Sequence, residues 1–148
     1  MSGRRIVQNL AINFVRLAVI YGLVGMGLGI FMAASGDHGQ APTHAHINLI
    51  GWASMGIFGL AYRAWPELNV GIWPKIHFWG WNLGAVLMVL ALFMMFSGNM
   101  QFEPLAAFSS IVVMLSMLVF AVIVFRPQAA GELAQSKLGE ARQVQLAD

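Results

Sequence analysis

Four long apolar runs, separated by short polar or Pro/Gly-bearing breaks, set the pattern of this chain. They fall at about 17–34, 44–65, 77–97 and 104–125, and each offers the roughly 20 apolar residues that a helix needs to cross the hydrocarbon of a bilayer. Within that medium the backbone has no water to bond, so a helix that satisfies its own polar groups is the expected structure. The pattern predicts an all-α fold, an integral membrane four-helix bundle over residues 1–126. Residues 127–148, polar and alanine-rich, read as a frayed or short surface helix in the cytoplasm.

Composition agrees. With 59% hydrophobic and 9% charged residues and a mean hydropathy of +0.72, the chain has too little polar surface to cover a water-soluble globule, so a lipid bilayer must cover it. The absence of cysteine excludes disulfides, thiolate metal sites and iron–sulfur clusters.

The basic residues are placed asymmetrically. Arg4, Arg5 and Arg16 precede or begin the first run, Arg63 and Lys75 flank the loop between the second and third, and Arg126, Lys137 and Arg142 follow the fourth. The other two loops, about 35–43 and 98–103, carry only Asp37 and Glu103. By the positive-inside rule both termini are expected in the cytoplasm. The basic pI then reflects topology, and nucleic acid is not an expected partner. A competing reading takes Arg4-Arg5, an apolar run and Ala33-Ala34-Ser35 as a cleavable signal peptide, for which the run is long.

Gly25 and Gly29 in the first run, and Gly80 and Gly84 in the third, form small-xxx-small pairs. They are expected to let helices of the same chain approach closely, with a homo-oligomer contact or room for a flat ring as the alternatives. The fourth run, whose polar groups are Ser109, Ser110 and Ser116, reads as a packing or lipid-facing helix. Trp65, Trp73, Trp79 and Trp81, with Tyr62 and the more distant Trp52, read chiefly as an interfacial aromatic belt around the second loop.

Acidic residues fall outside the runs, so a relay or catalytic pair built on buried carboxylates is not visible. The candidate chemistry lies in His38, His44, His46 and His77. Pro42-Thr43 reads as a helix start with Thr43 as the cap, which puts His44 and His46 in the first turn or so of the second run. Residues two apart on a helix differ in direction by about 200°, so the two imidazoles face apart and suit two separate sites. An imidazole in hydrocarbon is costly unless its nitrogens are occupied, and a pair in one turn favours ligation over simple packing. His38 reads as a solvated loop residue close enough in sequence to reach that site. His77 opens the third run at the other end, close to 30 Å away by helical rise, and is expected at the interface.

Three segments together resemble subunit I of the haem-copper oxidases: Thr43-His44-Ala45-His46, the stretch from Gly56 to Tyr62-Arg63-Ala64-Trp65-Pro66, and Pro74-Lys75-Ile76-His77-Phe78-Trp79. In that family a His-x-His pair opens a helix that runs to an aromatic-Pro corner, and a Lys-Ile-His-Phe-Trp segment opens the next. The resemblance covers roughly residues 43–97. It implies that His44 matches the axial ligand of the high-spin haem, His46 the ligand of the low-spin haem, and His77 no haem ligand. It implies haem, b-type, and a place in respiratory electron transfer or in handling oxygen or nitric oxide, in a bacterial-type inner (cytoplasmic) membrane.

The family's copper segment and its adjacent His-His pair are missing, and a complete oxidase centre needs more histidines than the four present. Copper is therefore not expected from this chain alone. A sixth haem ligand is expected from His38, from a second copy or from other respiratory subunits. The alternatives are a partner-dependent subunit of an oxidase or nitric oxide reductase-like complex, a copper- or zinc-handling membrane protein using His38, His44 and His46, and a bundle without cofactor.

Overall fold

A computed structural model describes the backbone of residues 2–126 and the side chains from residue 10 onward. The expected tail helix, with Lys137 and Arg142, lies outside the described residues.

The fold is all-helical. Helix α1 spans Ser2–Ser35. After a short loop, α2 (Ala41–His46) passes without a break into a π-helical stretch, Ile47–Ser54, and on into α3 (Met55–Ala64). A 3₁₀ turn, Pro66–Leu68, leads to α4 (Trp73–Phe96), and a second one, Met100–Phe102, to α5 (Glu103–Phe125). The chain thus folds as four helical rods, the second being α2 to α3. Three stretches are long and apolar enough to cross a membrane: Leu10–Ser35, Trp73–Phe96 and Met100–Phe125.

Two helix starts differ from the sequence expectation. α1 begins well before residue 17, because its polar N-terminal residues are compatible with helix and Ala11, Phe14 and Ala18 pack into the core. Thr43 is not the cap of α2. Pro42 suits a first helical turn, where its missing N–H costs nothing, so the helix opens at Ala41 and Thr43 lies inside it. There Thr43 is buried, and its hydroxyl donates to Gln40 Oε1 at 2.7 Å.

The rods lie against each other in antiparallel register. A Cβ on Gly59 would meet Val15 and Phe14, one on Gly25 would meet Asn48, and one on Gly29 would meet His44. Along the other side of the second rod, Trp81 Nε1 donates to the Ile50 carbonyl (3.1 Å), and Gln40 Nε2 to the Phe93 carbonyl (3.1 Å). Gly80 and Gly84 of α4 face Ser116 and Val113 of α5. Both glycine pairs therefore serve packing within the chain. The space beside Gly25 and Gly29, open in sequence to a flat ring, is filled by the side chains of Asn48 and His44.

The π stretch follows His46 directly. Its wide turn shows in Ser54, whose hydroxyl donates five residues back to the Leu49 carbonyl at 2.7 Å. Such widened turns occur often at functional sites.

Candidate functional site

The second rod positions His44 and His46 two residues apart near its N-terminal end. Both are half-buried. His44 crosses to α1, where its Nδ1 lies 2.8 Å from the Gly25 carbonyl oxygen. His46 turns back on its own helix, with Nδ1 2.8 Å from the Pro42 carbonyl oxygen. The two rings are thus engaged on different sides, as their spacing requires.

These contacts decide the tautomers. A carbonyl oxygen can only accept, so in each ring Nδ1 carries the proton and donates it. In a neutral imidazole the lone pair then lies on Nε2. A metal-bound histidine shows the same division, one ring nitrogen on the metal and the other N–H donated to a carbonyl or carboxylate that fixes the ring. Asn48 belongs to this arrangement. Its amide donates to the His44 carbonyl at 2.9 Å, and its Nδ2 lies 3.5 Å from His44 Nε2, at the limit of a hydrogen bond. His46 Nε2 has no hydrogen-bond partner among the described residues. Asn48 is a site residue that sequence reasoning missed, although its place four residues after His44, on the same helical face, could have pointed to it.

His38 lies in the loop before α2, exposed, with Nδ1 3.2 Å from the Gly36 carbonyl oxygen. Among the described residues no hydrogen bond joins His38 to either helical histidine. Among the described residues no three His, Cys, Asp or Glu side chains converge as a metal site would require.

The fourth histidine overturns an expectation. His77 is not at the interface but fully buried, at 0% exposure. Its Nδ1 lies 3.0 Å from the hydroxyl of Tyr62, also at 0%. Around it stand Phe14 of α1, Phe58 of α3 and Phe120 of α5, with ring centroids 5.3, 4.6 and 5.0 Å away. An internal hydroxyl partner makes this burial tolerable for an imidazole, although Nε2 remains without one. Sixteen residues of α4, about 24 Å at 1.5 Å per residue, separate His77 from Phe93, which binds Gln40 at the other end. The separation of His77 from the pair thus holds, while its surroundings are a closed aromatic layer.

The aromatic belt is also divided. Trp65, Trp73 and Trp79 are exposed around the hairpin between α3 and α4, as a belt requires. Tyr62 and Trp81 belong to the core instead, because their polar atoms find partners there in His77 and the Ile50 carbonyl. Trp52 lies against Gly22 of α1, along the middle of the rod.

Fold and site together define a multi-pass membrane protein that carries two imidazoles of fixed tautomer at one end. The sequence is similar to the cbb3-type cytochrome c oxidase subunit CcoN1 of Stutzerimonas stutzeri, 25% identical over 144 residues, which cover 85% of this chain and 29% of that protein. The chain thus spans under a third of the length of this relative. At that identity and coverage the likeness supports a distant relation to haem-copper oxidase subunit I and nothing finer. No protein-family model matches the sequence, and no solved structure does.

Proposed function

We propose that this chain is a haem-binding membrane protein, distantly related to haem-copper oxidase subunit I, in which His44 and His46 offer Nε2 as axial ligands. The single observation that carries the reading is the pairing of both Nδ1 atoms with backbone carbonyls, at 2.8 Å each. Two half-buried imidazoles whose Nδ1 protons are engaged by carbonyls keep their lone pairs on Nε2, which fits the donor set of a b-type haem. His46 is the better candidate, since His44 Nε2 has Asn48 Nδ2 beside it. When bound, haem would supply one-electron transfer or diatomic gas binding. This chain's residues would hold the ring orientations, through the Gly25 and Pro42 carbonyls, and keep water out with the apolar helix faces.

The second rod, about 35 Å long at ordinary helical rise, crosses the bilayer as the fourth span. Both termini then lie in the cytoplasm of a bacterial-type cell, with His38, His44 and His46 toward the outer face. The remaining ligands would come from a second copy or from other respiratory subunits. The absence of any three-residue ligand cluster among the described residues weighs against the alternative of a copper- or zinc-handling protein.

The test is the absorption spectrum of the chain purified in detergent from haem-replete cells. A Soret band is expected, lost or shifted in His46→Ala and altered in His44→Ala, and unchanged in His77→Phe. A folded protein that takes up no haem refutes the proposal, and one that instead retains stoichiometric copper or zinc supports the metal-handling reading.

A further inference from the structure

We infer that the end of the bundle around Tyr62 and His77 is a binding girdle for anionic phospholipid headgroups, with one cation supplied by each helical rod. The aromatic layer sets the level. Phe14, Tyr62, His77 and Phe120 come from the four rods and stack at one height, with Phe14 5.7 Å from Tyr62 and 5.3 Å from His77, and His77 5.0 Å from Phe120. Arg16 follows Phe14 by two residues, Arg63 follows Tyr62 directly, Lys75 precedes His77 by two and Arg126 follows Phe120 by six. At 1.5 Å per residue all four lie within about 9 Å of the layer along the helix axes, which a long side chain largely spans. All four are exposed.

The surroundings say what the anion is. Arg16 shares its helical face with Ile12, Val19, Ile20 and Leu23, each exposed, so it emerges on the apolar, lipid-facing side of α1. A guanidinium there is costly unless it reaches the interface or a counter-charge. Lys75 stands likewise between the exposed Ile72, Ile76 and Trp79. Arg126 lies over the Trp73 ring, 5.0 Å from its centroid. Among the described residues the hydrogen bonds give these four cations one partner, Asn13 Oδ1, 3.4 Å from Arg16. The one described carboxylate at this end, Glu67, is exposed in the turn after α3. Four cations around a bundle, flanked by lipid-facing aliphatic side chains and exposed tryptophans, match a headgroup phosphate with its acyl chains better than a free anion. The inference is independent of haem.

The test places the chain in bilayer discs of equal parts phosphatidylglycerol and phosphatidylcholine, extracts it with mild detergent and counts the retained lipids by native mass spectrometry. Phosphatidylglycerol is expected to be enriched. The enrichment should fall about five-fold per removed charge in Arg16→Gln, Arg63→Gln, Lys75→Gln and Arg126→Gln, and should fall with added salt. Equal retention of the two lipids by the unaltered chain overturns the proposal. So does displacement of the lipid by millimolar inorganic phosphate, which would mark a free-anion site. Circular dichroism checks that variants stay helical. Should a variant combining all four substitutions not fold, the Lys75→Gln/Arg126→Gln pair decides, and an unchanged enrichment in it also overturns the inference.

Discussion

Removing the Tyr62 hydroxyl isolates the energetics of the buried aromatic layer. Tyr62→Phe keeps the ring and its stacking on Phe14, 5.7 Å away, but leaves His77 Nδ1 without its 3.0 Å partner. Because Nε2 already lacks one, the imidazole would then be wholly unsatisfied in a site that no water reaches. Hydrogen bonds between membrane helices are worth only about 0.6 kcal/mol on average, since the helices find other partners when separated. An orphaned buried polar group costs more, about 1–3 kcal/mol, and with both residues at 0% exposure the larger figure governs. His77→Phe orphans the Tyr62 hydroxyl at a similar cost. The double variant removes both polar groups and replaces imidazole by a ring of comparable shape, so it should lie within about 1 kcal/mol of the unaltered chain. The assay is equilibrium unfolding in mixed micelles of increasing dodecyl sulfate, followed by tryptophan fluorescence, with the free energies combined as a double-mutant cycle. Two single losses that simply add in the double variant, or two neutral singles, would show that no buried pair exists and refute the reasoning.

The glycines give a second contrast. A Cβ on Gly51 would overlap the Tyr21 ring, so Gly51→Ala should destabilise by about 1–3 kcal/mol, whereas Gly27→Ala, with nothing within 4 Å, should stabilise by about 0.5–1 kcal/mol, both read from the same micelle titration. Trp81→Phe removes the 3.1 Å bond to the Ile50 carbonyl and should cost about 1 kcal/mol by that titration, with fluorescence from the other four tryptophans as the readout.

The rods were legible because their determinant is one-dimensional. Apolar runs of membrane length are visible without knowing any neighbour, and three of the four expected runs meet the length and composition of a span. The second, expected at 44–65, proves to be a helical rod from Ala41 to Ala64, but with a π stretch at its middle. Nothing in Ile47–Ser54 announces that widening, which depends on what the rod packs against: Tyr21 at Gly51, Trp52 at Gly22 and the Trp81 indole on Ile50. The glycine spacing correctly pointed to close packing, while its filling by Asn48 and His44 is a matter of partner helix and register. Thr43 was misread because a threonine after proline satisfies the cap rule locally, and only the burial of its hydroxyl against Gln40 shows it to be inside the helix.

At the site the same division holds, and it explains why His77 escaped. The opposition of His44 and His46 follows from helical angle alone, so two residue numbers suffice to expect it. The surroundings of His77 are assembled from Phe14, Phe58, Tyr62 and Phe120, which lie as much as 106 residues apart, and no local pattern brings such positions together. By position His77 should be interfacial, a place where imidazole is cheap. Its burial is made tolerable by Tyr62, on the other arm of the same hairpin, whose hydroxyl partners Nδ1 while Nε2 stays unpaired. Polar residues on the two arms of a membrane hairpin at matched distance from the turn are therefore worth testing as pairs before each is assigned to the interface alone.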